Sequence, residues 1–237
     1  MAEKPRPWTV LDNEPIEQLS ANLWTVGGAL PGMSLKRRMT LIRRPDGRIV
    51  IHNAIALDDA SMEQIERWGE PAELIVPNAW HRLDANAYTQ RYKRLRVFAA
   101  KQAVDRVSEQ VRVHGTWQDF AADKTVSARP LPGAERSGEA AFVVHDQGKT
   151  TLVFNDVFFN HPHVEGSMGV VMRLLGSTGE AKVTRVAKWL MLSDASEFAA
   201  TLVQLANLPG LSALIPGHGT PVLSNAAATL ARAATRV

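Results

Sequence analysis

The chain contains no cysteine. That absence excludes disulfides, thiolate metal sites and thiol nucleophiles together, so any metal must be held by His, Asp, Glu or water. No G-x-S-x-G element occurs either, which leaves a serine nucleophile without motif support. The longest apolar stretches fall far short of the roughly 20 residues that a membrane span requires. The opening residues "MAEKPRP" lack the basic region and apolar core of a secretion signal, so a soluble cytoplasmic protein with no membrane partner is expected. No Ser/Gly tract, long Pro-rich stretch or charge block supplies a linker, and one domain over residues 1–237, flexible at 1–7, is the expectation.

What is present is ordinary for a globular protein: 45% hydrophobic and 22% charged residues in a chain of 237, long enough to bury a large core. The formal charge of +3 is mild. Positive charge concentrates in "LKRRMTLIRR" and "QRYKRLRV", but no aromatic-interleaved basic motif accompanies it, so these read as solvated faces and nucleic-acid binding is disfavoured. A homo-oligomer remains open.

Periodicity divides the chain into two similar halves. "LWTVGG" alternates as a strand, and "RMTLIRRPDGRIVIHN" reads as two strands about a turn in which Pro45 and Gly47 supply the geometry. "LDDASMEQIERWGE" spaces Met62, Ile65 and Trp68 as on a helix, with Asp58 or Asp59 as N-cap and Gly69 as stop. "AELIVPN" is a nearly all-apolar run suited to a fully buried strand, followed by a helix in "DANAYTQRY" and a strand in "LRVFAA". A β-meander opens the second half, with "VSARPLP", "EAAFVVHDQ" and "KTTLVFNDVFF" as its strands and "DQGK" as a turn. A helix follows in "DASEFAATLVQLANL", where Asp194 and Glu197 resemble a capping box, then the strand "LSALI" and a last helix in "NAAATLARAATR". Two sets of strands, each ending in helix and strand, suggest a layered structure with helices outside.

Two residues attract chemical interest. The strand "LSALI" runs into "PGHGTPV", delivering His218 at a strand end where flanking glycines let a ligand or ion approach the backbone. A turn histidine bonded to a neighbouring carbonyl is the plainer alternative. Asp156 stands inside the apolar run "TLVFNDVFF", where an ionised carboxylate costs several kcal/mol unless paired or coordinated. Its alternative is an aspartate at a strand end, turned outward or bonded to backbone N–H groups. The pair His161 and His163 in "HPH" lies about 17 Å from Asp156 if the strand stays extended, too far to share an ion, and suits a surface turn. His52, His114, His145 and Glu165 have no partner that the sequence names.

These elements in this order resemble the metallo-β-lactamase superfamily from about Asn22 to the end. The resemblance implies a four-layered αββα sandwich with a metal site at the edge between its sheets. By that likeness Asp156, in "FNDVFF", takes the metal-bridging place and His218, in Pro-Gly-His-Gly, the late ligand's place. The family's H-x-H-x-D-H element would fall in "LIVPNAWHRLDAN", where Asn78, Trp80, Arg82 and Leu83 stand at its four ligand positions. None of these is a ligand of the family's type, so the motif is degenerate. Another family histidine would fall in "LPGAERSGEAAF" at Ala134, beside Glu135. His81 and Asp84 lie in the right loop one register off, and Asp84 also suits an N-cap.

The resemblance therefore implies a hydrolase of unknown substrate with a rebuilt site: His81, Asp156 and His218 around one zinc, iron or manganese ion, with water in the open position. Asn78, Trp80, Arg82, Asp84 and Glu135 are candidates to line the cleft for a small-molecule substrate or ligand. A non-catalytic, metal-free member that binds a small molecule or a protein in the same cleft is the alternative, and a third possibility makes His218 a general base oriented by Asp156. A β-lactamase activity is disfavoured, because the ligands that guarantee an activated zinc hydroxide are replaced.

Overall fold

Strict alternation of side chains explains the layers. In the computed structural model, which describes residues 6–163, 165–174 and 176–237, the first half forms β1 (Glu17–Ser20), β2 (Leu23–Leu30), β3 (Met33–Arg43), β4 (Arg48–His52), α1 (Asp59–Trp68), β5 (Glu70–Val76), α2 (Ala85–Arg91), β6 (Arg96–Ala99), α3 (Val104–Ser108) and β7 (Gly115–Thr116). The seven strands make one sheet in sequence order, antiparallel through β4 and parallel from β4 to β7. The second half contributes β8 (Val126–Pro130), β9 (Ala140–Asp146), β10 (Lys149–Val153), β11 (Phe159–Asn160), α4 (Gly166–Leu174), α5 (Arg185–Leu190), α6 (Ala195–Ala206), β12 (Leu211–Ile215), β13 (His218–Gly219) and α7 (Ala226–Ala234). Its four-stranded sheet has the order β12-β10-β9-β8, with β12 parallel to β10, and β11 pairs with β13.

Neighbouring residues on one strand serve different layers, as a period of two requires. Leu41, Ile49, Ile51, Leu74 and Val76 pack outward against Met62 and Ile65 of α1 and Tyr88 of α2. Their neighbours Ile42, Val50 and Ile75 point the other way and meet Val126, Phe142, Val144, Val153 and Ile215 of the second sheet. On that sheet's far face Val143, Leu152 and Leu214 pack against Phe198, Leu202 and Leu230 of α6 and α7. The result is the αββα order, and it explains why Leu74, Ile75 and Val76 are apolar at consecutive positions: both faces of β5 are covered.

The helix ends are set by local hydrogen bonds. Asp58 caps α1 by accepting from the Ser61 N–H at 2.8 Å. Asp194 caps α6 through the Glu197 N–H at 2.9 Å, but its own N–H donates to the Gly133 carbonyl, so the expected reciprocal box is not closed by Glu197.

Other expectations need correction. "KTTLVFNDVFF" is not one strand: β10 stops at Val153, and Asp156 sits in the turn that follows. Asp84 precedes α2 without a side-chain cap, because its carboxylate accepts from Arg37 and from the Ala56 N–H at 3.1 Å. Helices α4 and α5 occupy a stretch in which no element was expected. The flexible start expected over residues 1–7 lies outside the described residues at 1–5, whereas Trp8 is anchored by its indole N–H on the Leu57 carbonyl at 2.9 Å. Among the described residues no helix is long and apolar enough to cross a membrane.

Candidate functional site

Parallel pairing places several strand ends at one edge of the sandwich. Asn53 follows β4, the loop carrying Asn78 and His81 follows β5, Asp156 follows β10, and His218 opens β13 just past β12. Both sheets thus deliver polar side chains to the edge where they meet. Behind that edge the turn Pro-Gly-His-Gly is tight for a reason internal to the protein. A Cβ on Gly217 would stand 2.3 Å from Asn155 Oδ1, and one on Gly219, whose φ is +93°, would stand 2.0 Å from the Asn160 carbonyl oxygen. The glycines admit the Asn155 side chain and the Asn160 backbone rather than a ligand. Gly219→Ala is therefore expected to cost about 2 kcal/mol or more, read as a lower midpoint in chemical denaturation. An unchanged midpoint would contradict this close approach.

Three side chains converge. His81 Nε2 and His218 Nε2 each lie 2.9 Å from Asp156 Oδ1, and the two nitrogens are 3.4 Å apart. Among the described residues this is the one group of three or more His, Asp or Glu that could hold a metal ion. The outer nitrogens fix the tautomers. His218 Nδ1–H donates to the Lys36 carbonyl at 2.8 Å, an oxygen that can only accept. Asn53 Nδ2 donates to the Arg38 carbonyl at 2.9 Å, which turns Asn53 Oδ1 toward His81 Nδ1, also at 2.9 Å, to accept from it. Each imidazole therefore presents its Nε2 lone pair to a carboxylate oxygen.

Three acceptors facing one another repel unless positive charge stands between them. Protons on both imidazoles would place two cations side by side in a nearly buried site, whereas one divalent ion satisfies all three atoms. The spacings are near the about 3.3 Å that separates ligand atoms around a tetrahedral ion with bonds of about 2.0 Å. The donor set, two imidazoles and one carboxylate, fits such an ion. Asn53→Ala should weaken ion affinity about 10–100-fold by freeing the His81 ring, as measured by titration with a fluorescent zinc chelator. Wild-type affinity in that variant would remove Asn53 from the support of the site.

A second carboxylate lies behind the first. The Asn78 amide donates both hydrogens, one to Asp156 Oδ2 at 2.7 Å and one to Glu139 Oε1 at 2.6 Å. Glu139 also accepts from the N–H groups of Asp156 and Val157, both at 3.3 Å. Burial raises the pKa of Asp156, whereas positive charge on His81 and His218 outweighs burial and holds the carboxyl well below the ordinary range; with both rings neutral that pull is absent. Burial, and then the charge of Asp156, push Glu139 up to about 8 against the pull of its N–H donors. Sequence reasoning passed over Glu139 and Asn53. A carboxylate at the head of the apolar strand "EAAFVV" carried the same signal as Asp156, and Asn53 follows a buried strand as Asn78 does.

The remaining candidates are spread out. Trp80 projects at the mouth of a cleft of about 640 Å³ whose floor includes His81, Asp156 and His218. Asn78 and Asp84 are buried behind it, Asp84 pairing with Arg37. Arg82 does not line the cleft: its guanidinium donates to the Arg106 carbonyl at 2.6 Å and to Glu109 at 2.8 Å. Glu135 is also elsewhere, accepting from the Gly133 N–H at 3.0 Å and from the Ser193 hydroxyl. His161 Nδ1 donates to the Pro162 carbonyl and His163 contacts the Thr178 hydroxyl, so neither joins the centre.

The αββα sandwich defines a fold class, and solved structures share that fold. The chain is similar to the DIM-1 metallo-β-lactamase exposed to ceftazidime, at 14% identity and a TM-score of 0.64, over 96% of this chain and 99% of that one. It is likewise similar to a metallo-β-lactamase from Erythrobacter litoralis with β-mercaptoethanol in its active site, at 14% identity, a TM-score of 0.62 and coverages of 94% and 96%. A third, from Hirschia baltica, gives 15%, 0.55, 93% and 98%. The protein has the metallo-β-lactamase fold. No family model matches the sequence, and no curated protein does.

Proposed function

We propose that this protein is a hydrolase working through one divalent ion, zinc, iron or manganese, held by His81, Asp156 and His218. The observation that carries the proposal is the pair of tautomer-locked imidazoles whose Nε2 lone pairs converge on Asp156 Oδ1. Such an ion lowers the pKa of water to about 7 and polarises a carbonyl. The chain's own residues do the rest. His81 and His218 are held in orientation by Asn53 and by the Lys36 carbonyl, so they need no rearrangement to bind. Asp156 would give the ion its anionic ligand through Oδ1, while Oδ2 stays tied to Asn78 and fixes the carboxylate plane. The cleft brings a small molecule against these atoms.

One ion rather than two follows from the loop after β5. Trp80 and Leu83 cannot coordinate, and Arg82 carries a cation to the α3 side. The second reading, a metal-free binding protein, draws on the same cleft and on the exposed Trp80 at its mouth. Metal analysis of untagged protein separates the two, with His218→Ala and Asp156→Ala alongside. The hydrolase reading expects close to one equivalent of ion, lost in both variants. Full stability with no ion bound, even after incubation with micromolar zinc, iron(II) or manganese, would favour the binding protein.

A further inference from the structure

The floor of the cleft is polar, but its walls are not. Leu30, Leu35, Leu83, Val186 and Met191 line it, together with Phe159, which stacks on the His218 ring with centroids 4.7 Å apart. The mouth is apolar too. Met33, Trp80, Val171 and Leu190 lie on the lining and are exposed by 59%, 66%, 47% and 43%. Exposed side chains of that size gathered on one rim mark a surface that meets an apolar ligand.

The cleft also has few charges. Arg37 is its sole arginine or lysine among the described residues, and each of its guanidinium nitrogens already has a partner: Nε donates to the Ala29 carbonyl, Nη1 to the Ala54 carbonyl, and Nη2 pairs with the buried carboxylate of Asp84. In the ion-free cleft a substrate carboxylate or phosphate would therefore enter an apolar space whose one cationic side chain is already paired, at a large desolvation cost. Nor does the described lining hold a carboxylic acid other than Asp156, so an amine leaving group would lack a separate acid to protonate it. An alcohol leaves with less assistance.

We propose that the cleft takes an uncharged carboxylic ester with an aliphatic acyl chain, the carbonyl at the His81–Asp156–His218 floor and the chain along the Leu35, Val186 and Leu190 wall. For the reaction, this rests on the hydrolase reading above; for the ligand it does not. In the reaction the water oxygen bonds to the carbonyl carbon and the acyl C–O bond breaks. The electron pair of that bond leaves on the alcohol oxygen, which takes up one proton of the water, and the acid product releases the other. The volume of about 640 Å³ is in the about 300–1,000 Å³ range of small-molecule sites and leaves room for a chain of medium length.

Two measurements on the full chain test this. Calorimetric binding of neutral 2-alkanones, hexan-2-one to dodecan-2-one, should tighten about fourfold per methylene until the wall is covered. The alkanoates of equal length should bind ion-free protein at least tenfold more weakly than the ketones do, and Leu190→Asp, an exposed site where the fold is not at risk, should weaken the ten-carbon ketone at least fivefold. Affinity that does not depend on length, or a preference for the alkanoate, would overturn the proposal. With zinc-, iron- or manganese-loaded protein, kcat/KM for p-nitrophenyl esters should rise from acetate to decanoate. Length-dependent ketone binding with no ester turned over would support the ligand class and sink the hydrolase reading. Equal turnover at every length would do the reverse.

Discussion

Asp156→Asn is expected to give a protein that is inactive and yet more stable than the ion-free parent. Asp156 Oδ1 faces two Nε2 lone pairs at 2.9 Å, and Oδ2 accepts from Asn78 at 2.7 Å. An amide in the same place keeps its oxygen toward Asn78 and turns its two hydrogens toward His81 and His218, so three acceptors become one donor and two acceptors. It also removes one of two buried carboxylates that share the Asn78 amide. Each change favours the fold without an ion, by about 1–3 kcal/mol in all at pH 8. The ion that we propose for the site would, in contrast, lose its anionic ligand, and the proposed hydrolysis should fall at least about 1,000-fold. Urea denaturation, metal analysis and turnover on one preparation check all three. A variant that keeps a stoichiometric ion, or unfolds more readily than ion-free wild type, would contradict the lone-pair geometry.

The layers were legible because burial on both faces leaves a mark on sequence. Leu74, Ile75 and Val76 are consecutive and apolar, and each is claimed by a sheet face. Local turn chemistry was equally readable: Asp58 and Asp194 cap the helices that their spacing suggested. The stretch from Gly166 to Leu190 was opaque, since α4 and α5 leave Val170, Leu174 and Trp189 exposed and so lack a clean apolar face. The centre itself was half legible. His218 and Asp156 stood out through an unusual neighbourhood, and His81 through its loop, but the fitting of His81 depends on a register that sequence spacing does not fix. Simple alignment of the loop puts Asn78, Trp80, Arg82 and Leu83 at the ligand positions. In the fold Asn78 turns inward to two carboxylates, Trp80 outward to the cleft mouth and Arg82 toward Glu109, and the imidazole of His81 takes the space between. Asn53 and Glu139 carried a local signal, but their hydrogen-bond partners in the centre lie 28 and 17 positions away, and Lys36 was illegible because it acts through its backbone carbonyl on a residue 182 positions away.

Acid lability should trace to His52, which sits buried at the end of β4 with Nε2 unpartnered and its ring edge-on to Phe142 at 5.4 Å. Burial, and then the nearby His81, push its pKa from the ordinary 6.5 down to about 3. In the folded protein the ring is neutral at pH 5, whereas in the unfolded chain it is protonated. The unfolded state thus binds the extra proton, and stability falls as pH drops below 6.5, levelling off near 3. The slope is up to about 1.4 kcal/mol per pH unit, several kcal/mol across the window, less whatever relaxation lets water reach the ring. His52→Leu removes the titrating group and the unpaired nitrogen while keeping a similar volume, so it should match or exceed wild-type stability at pH 8 and surpass it by about 2 kcal/mol at pH 4.5. Urea midpoints of ion-free wild type and variant from pH 4 to 8 give the comparison. Parallel pH profiles for the two proteins would show that His52 does not drive the acid transition, and that the carboxylates of the centre do.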